Sequence, residues 1–303
     1  MISDIRGSIP EVEIGWVVEE GFADIPAMHR GVDYIHGVAL RRWRKSLFSA
    51  STRAEILVFK EKLRDRSYDT IIDTQGLFKS AWITRWASGI RYGQHWSTVR
   101  EPLAAFFYNH RYKIPRNQHA VLRNRQLVAK ALDYDLPAGL PVYGISANTD
   151  IGQSIEGPYV VCLHGTAQAR KLWSDEQWIS LGASLNSAGV MVVLPWGTDQ
   201  ERERADRLES RLANAYVPNR IAIKELASLM TKARAIVGID TGLAHLAVAL
   251  GKPTIGIYTD TNPSLTGLYA GEGTRVINLG GISKKVVAED VWEVLVKWGV
   301  VRT

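Results

Sequence analysis

Cysteine is nearly absent from this 303-residue chain: the single Cys162 sits in the apolar run "YVVCLHG". No intrachain disulfide can form, and a lone buried thiol suits a reducing compartment. Long apolar runs are missing too, none reaching the about 18 to 20 residues that span a bilayer. The first residues, "MISDIRGSIPEVE", have neither a basic start nor a long apolar stretch, so no export signal is expected there. Low-complexity blocks are also lacking, and with 46% hydrophobic and 22% charged residues the composition excludes a disordered chain. No histidine cluster suggests a metal site, and neither metal nor cofactor is expected.

What is present is an excess of basic charge, 37 Lys and Arg against 31 Asp and Glu. That excess suits anionic partners such as nucleotide diphosphates, nucleic acid or an acidic membrane surface. Length alone suggests two domains.

From Tyr159 onward, short apolar runs alternate with helical patterns: "YVVCLHG", "SDEQWISLGASLNSAG", "VMVVLPWG", "TDQERERADRLESRLA", "IKELASLMTKA", "AIVGID", "GLAHLAVALG" and "TIGIYT". This alternation predicts βαβ units around a parallel sheet, an α/β fold. Ser174 and Gln177 form a candidate capping box, while Asn186, Gly189 and Gly251 stand where helices should stop. The first half alternates less cleanly, with a helix over Arg53 to Arg66, another from Leu77 and two more through Leu132. The Pro- and Gly-rich stretch between them predicts an N-terminal domain over 1–140, a linker over 141–157 and a C-terminal domain over 158–303. The last helix can pack back on the N-terminal domain.

One turn type occurs in both halves. "TIIDTQGLFKSA" and "VGIDTGLAHLA" each run strand, Asp-Thr, Gly, Leu, helix. Asp-Thr-Gly is also the nucleophile motif of aspartic proteases, but those need two such loops in an all-β frame with carboxylates sharing a proton. Between a strand and a helix the turn has other uses. Free amides after Gly242 and the helix dipole can hold a diphosphate, with Asp240 capping the turn or reaching a sugar hydroxyl; a structural N-cap is the plain alternative.

Three further stretches favour an anionic ligand. In "LHGTAQARKLW", Gly165 and Thr166 offer a close backbone and a hydroxyl, and Lys171 a compact cation for phosphate. After "LPWG", Glu201 can accept ribose hydroxyls, although Glu201, Arg202, Glu203 and Arg204 together also fit a solvated helix face. "RRWRK", Arg41 to Lys45, reads as a phosphate or carboxylate site, an anionic membrane contact with Trp43 free for stacking or interfacial burial, or a solvated face. No nucleic-acid-binding module accompanies it, so nucleic acid is not an expected partner.

Together "DTQGLFKSAW", "REPLAAFFYN", "LHGTAQARKLW", "LPWG" and "DTGLAHLAVALGKPTIGIY" resemble the lipopolysaccharide heptosyltransferases of glycosyltransferase family 9. Within that family, "RRWRK" and "REPLA" are most similar to members that transfer heptose to Kdo. The resemblance runs from about Val12 to about Leu279. It implies the GT-B architecture, two Rossmann-like doubly wound domains facing a cleft. It also implies inverting transfer of L-glycero-D-manno-heptose from ADP-L-glycero-D-manno-heptose to Kdo of Kdo2-lipid A, at the cytoplasmic face of the inner membrane.

By the same resemblance, Thr166, Ala167 and Lys171 lie near the donor phosphates, Glu201 at the ribose and Ile221 at the adenine. Asp240, Thr241 and Gly242 form the diphosphate turn, and His245 contacts the donor phosphate or sugar. Arg41, Arg42, Arg44, Lys45, Lys79 and Arg100 match basic positions for the acceptor. In the implied mechanism a base takes the Kdo hydroxyl proton and the oxygen attacks the anomeric carbon opposite ADP. Lys171 and the helix amides stabilise the charge that develops on the diphosphate.

The family's catalytic aspartate stands on a strand and Gly-containing loop that would precede Met1. Asp4 is too far along its helix to replace it, and Asp73 is a candidate substitute. The expectation is a start placed downstream of the true one, the alternative being a relative that binds nucleotide sugar without transferring it.

Overall fold

The computed structural model describes residues 1–148, 155–166 and 168–301. The chain divides into two compact units, Met1–Val142 and Tyr143–Thr303. Tyr143, within the stretch expected as linker, donates its hydroxyl to the Tyr269 carbonyl at 2.6 Å.

In the N-terminal unit, β1 (Gly15–Glu19) pairs in parallel with β2 (Tyr34–Val38). A second parallel sheet has the order β3 (Ser67–Ile72), β4 (Ser88–Gln94), β5 (His110–Tyr112). Among the described residues the two sheets share no ladder; the Tyr68 hydroxyl of β3 instead meets His36 Nε2 of β2 at 3.0 Å. The helix expected over Arg53 to Arg66 runs from Ala50 to Arg64, started by Ser49, whose Oγ accepts the Thr52 amide at 3.1 Å. The two helices expected through Leu132 are a short 3-10 helix, Pro102–Phe107, and one α-helix, Ala120–Ala131. Within the latter, buried Arg125 holds buried Asp4 through two hydrogen bonds of 2.7 and 3.0 Å. Each charge is tolerated there because the other compensates it.

The C-terminal unit contains one six-stranded parallel sheet in the order β11-β10-β9-β6-β7-β8. Its strands are β6 (Tyr159–Leu163), β7 (Met191–Val193), β8 (Ala215–Tyr216), β9 (Ala235–Ile239), β10 (Thr254–Tyr258) and β11 (Val276–Gly280). Every residue of β6, β9 and β10 is buried, so these strands read as unbroken Val- and Ile-rich runs, as parallel strands covered on both faces do. Helices Asp175–Ser187 and Gly242–Ala249 stop before Gly189 and Gly251, whose φ values of 72° and 76° only glycine adopts without strain.

One local expectation changes. Ser174 Oγ does accept the Gln177 amide, at 3.4 Å, but the Gln177 side chain accepts the Ala288 amide at 2.6 Å and closes no capping box. Through that bond Gln177 ties its helix to the last one, Ala288–Lys297. That last helix buries Ala288, Val291 and Leu295 in the core of its own unit with Leu181 and Leu185. Full burial of each of these Val and Leu side chains contributes about 1.5 to 3 kcal/mol.

Candidate functional site

All six C-terminal strands run in parallel, so the loops after them emerge at one edge of the sheet. The chain moves outward from β6 through β7 to β8, then returns to β9 beside β6 and moves outward the other way. The boundary between β6 and β9 is therefore the topological switch point, where open α/β sheets bind their ligands.

Lys171 and Asp240 meet across that boundary. Lys171 ends the short 3-10 helix Ala169–Lys171 after β6, and Asp240 directly follows β9. Nζ lies 2.7 Å from Asp240 Oδ2, with the side chains 18% and 16% exposed, so the pair is sheltered yet reachable from solvent. The same Oδ2 accepts the Thr261 hydroxyl at 2.8 Å from the loop after β10. Beside it, Arg170 forms an ion pair with Asp260, and its carbonyl accepts the Thr259 hydroxyl at 2.9 Å. Sequence reasoning missed Thr259, Asp260 and Thr261. Their place at the end of the apolar run "TIGIY" is the signal that could have found them.

Asp240 does not cap the following helix. The N-cap of Gly242–Ala249 is Thr241, whose side chain makes no capping hydrogen bond. A Cβ added at Gly242 would meet nothing within 4 Å, so solvent or a ligand can reach the first amides. His245 is the fourth residue of that helix and is half-buried.

On the other side of the switch point, Glu201 Oε2 accepts the Gly197 and Thr198 amides at 2.8 and 3.1 Å, while Thr198 Oγ1 accepts the Glu201 amide at 3.3 Å. This reciprocal capping starts helix Asp199–Glu209 and turns Oε1 toward Gly165. A Cβ at Gly165 would lie 2.3 Å from that oxygen, so any larger residue there would push the Glu201 side chain out of this position. Thr166 follows, half-buried. Ile221, also half-buried, lies in the loop between β8 and helix Ile223–Lys232. Ala167 lies outside the described residues.

Arg204 is a correction. It was grouped with a solvated face, yet it is buried and donates to Asp175 at 2.8 Å, to the His164 carbonyl at 2.7 Å and to the Trp173 carbonyl. One guanidinium thus holds both ends of the loop that carries Gly165, Thr166 and Lys171. His164 is itself fully buried, with no hydrogen bond of good geometry at either ring nitrogen. Burial first, and then the Arg204 charge, hold its pKa down to about 4, although the nearby Pro195 carbonyl pulls the other way.

The basic cluster of the N-terminal unit is less uniform than its sequence. Trp43 is buried against Phe59, its Nε1 donating to Glu55 at 2.8 Å, and so is not available for stacking or interfacial burial. Arg42 is held between Glu20, at 3.1 Å, and Glu55, at 2.8 Å, which neutralises it. Arg41 has its guanidinium 5.4 Å from the Phe22 ring centre; Arg44, Lys45, Lys79 and Arg100 are exposed. Lys79 lies on helix Phe78–Thr84, and Arg100 precedes the 3-10 helix Pro102–Phe107.

Asp73 is not a base. It is buried, and its four acceptor positions are filled: Oδ1 by the Gln75 and Gly76 amides at 2.9 and 3.2 Å, Oδ2 by Ser80 Oγ at 2.8 Å and the Tyr108 hydroxyl at 2.7 Å. Burial first, and then the Asp73 charge, push the Tyr108 pKa upward, which keeps that hydroxyl a donor.

Charged and glycine-bearing loops at the switch point of an open parallel sheet define a nucleotide-binding class of α/β site. The glycosyltransferase family 9 (heptosyltransferase) model matches residues 56–295, and the chain belongs to that family. It is 43% identical over 280 residues to lipopolysaccharide heptosyltransferase 1 of Pseudomonas aeruginosa, covering 92% of this chain and 78% of that one. The Escherichia coli heptosyltransferase WaaC solved with ADP is 40% identical with a TM-score of 0.88, over 98% of this chain and 93% of that one. The same enzyme with ADP-2-deoxy-2-fluoro heptose gives 39% and 0.84 over the same shares. The fold is accordingly the GT-B class of two parallel-sheet α/β units.

Proposed function

We propose that this glycosyltransferase moves L-glycero-D-manno-heptose from ADP-heptose to Kdo of Kdo2-lipid A, with inversion at the anomeric carbon, in assembly of the lipopolysaccharide core. The observation that carries the reading is the Lys171–Asp240 pair across the switch point, beside a helix start that its N-cap residue, Thr241, leaves uncapped.

Each group has a definite task in that reaction. Leaving of ADP places negative charge on the diphosphate, and an ammonium with the helix amides lowers the energy of that charge where it develops. Asp240 and Thr261 fix Lys171 before the donor arrives, so the cation needs no reorientation during reaction. Asp240 itself is an organiser, since its Oδ2 already carries an ammonium and a hydroxyl. Glu201 serves the ribose, Ile221 the adenine, and Thr166, Ala167, Thr241, Gly242 and His245 the phosphates and heptose. Arg41, Arg44, Lys45, Lys79 and Arg100 take the acceptor's anionic groups, with Arg42 bracing the helix that carries its neighbours. The acceptor being a lipid, the enzyme works as a peripheral protein on the cytoplasmic face of the inner membrane.

The test is release of ADP by purified protein mixed with ADP-heptose and Kdo2-lipid A. Release that needs both substrates is expected. Donor binding without release would contradict transfer and leave a nucleotide-sugar-binding relative.

A further inference from the structure

The N-terminal unit exposes an aromatic surface that the proposed chemistry does not use. Phe78 and Trp82 stand on the outer side of helix Phe78–Thr84, each nearly half exposed, with ring centres 6.2 Å apart. Both meet Phe107 edge-on, at 5.4 and 5.7 Å. Toward the other side the surface continues into a groove of about 330 Å³ lined by Leu40, Phe78, Lys79, Trp82, Ile83 and Trp86. The 3-10 helix that ends at Phe107 leaves Phe106 77% exposed. The rings of Phe78, Trp82 and Phe107 with the groove beside them form a contiguous apolar patch, which marks an interaction surface rather than ordinary scatter.

Its charge selects the partner. Lys79 lines the groove, and Lys60 Nζ lies 4.9 Å from the centre of the Trp86 ring. The helix that supplies Leu40 runs on into Arg44 and Lys45, both exposed, and then Phe48, which is 93% exposed. Among the described residues no carboxylate lines the groove, and Glu101, which precedes the 3-10 helix Pro102–Phe107, accepts the Phe78 amide at 2.6 Å. Tryptophan and phenylalanine flanked by lysine fit the boundary between acyl chains and headgroups, where rings enter the apolar side and ammonium groups meet lipid phosphate. No described helix is long and apolar enough to cross a membrane.

We propose that this groove is a docking surface for an anionic lipid bilayer, with Phe78, Trp82 and Phe106 entering the interface and Lys60, beside the Lys79 already assigned to the acceptor, pairing with bilayer phosphates. The proposal rests on the lipid acceptor assigned above.

Sedimentation with phosphatidylglycerol-containing vesicles and with pure phosphatidylcholine vesicles tests it. The whole chain should bind the first at least about tenfold more tightly than the second, and Trp82→Ser with Phe106→Ser should lower binding by about tenfold or more. Brominated lipids should quench the tryptophan emission of the bound protein, and Trp82→Phe should remove most of that quenching while retaining binding. Absence of vesicle binding, or quenching unchanged in Trp82→Phe, overturns the proposal. So does self-association in solution that Trp82→Ser abolishes, since the surface would then seat a second copy. ADP release with a deacylated, water-soluble acceptor should be the same in the double variant and the parent. If the parent itself fails on that acceptor, the proposed transfer falls while the vesicle result stands on its own.

Discussion

The chain makes the strand, Asp-Thr, Gly, Leu, helix turn twice, and the two copies have opposite fates. At Asp73 the turn is closed: four donors fill the carboxylate, and the Glu101 carboxylate takes the first helical amide. Gly76 is needed there because its φ is 64° and a Cβ would lie 2.7 Å from Val99 Cγ2. At Asp240 the turn is open: the carboxylate takes one ammonium and one hydroxyl, and open space surrounds Gly242. The difference shows that a turn sequence does not specify a site. Whether neighbouring side chains satisfy its amides decides whether a ligand can.

Removing the two carboxylates should break this comparison most strongly. Asp73→Ala leaves buried donors without partners and should cost about 3 kcal/mol or more in chemical denaturation of the N-terminal unit. Asp240→Ala should cost about 1 to 2 kcal/mol in the C-terminal unit, because both members of its ion pair reach water.

A loss of similar size should come from pH in the open region. His164 is neutral when folded, with a pKa near 4 against an ordinary 6.5, so the unfolded chain binds its proton first as pH falls. Stability of the C-terminal unit is then fully present above about pH 6.5 and falls by roughly 3 kcal/mol on the way to pH 4. His164→Leu should flatten that part of the profile, measured as unfolding midpoints across the range.

Next comes the ligand side. Lys171→Ala should weaken ADP binding by about 1.5 to 3 kcal/mol in calorimetry; unchanged affinity would remove Lys171 from the phosphate site. The glycines give the smallest effect and the cleanest sign. Gly76→Ala should lower stability by about 1 to 2 kcal/mol, whereas Gly242→Ala should leave it level or slightly raised. Only the second should reduce ADP affinity, by crowding the approach to the amides.

The same contrast explains what was legible in the sequence. In the C-terminal unit, β6, β9 and β10 are buried at every position, so their apolar runs stood out and fixed the loops after them, including Lys171 and Asp240. Strands β1 to β3 mix exposed and half-buried positions, and their pattern was correspondingly faint. Charges misled where burial could not be inferred from neighbours along the chain. Arg204 looked like one of several surface charges on its helix, but it reaches Trp173, 31 residues back. Arg42 and Trp43 looked free because Glu55, 13 and 12 residues on, comes from the next helix. The family motifs pointed to the loops proposed for the donor without revealing that Asp73 and Asp240 are so differently satisfied.

Amide hydrogen exchange with and without ADP compares the two turns in one experiment. ADP should protect the amides of Gly242 and Leu243 and leave those of Gln75, Gly76 and Phe78 unchanged. Protection of the Asp73 turn, or none at Gly242 and Leu243 while ADP is bound, would contradict the assignment of the open turn to the donor diphosphate.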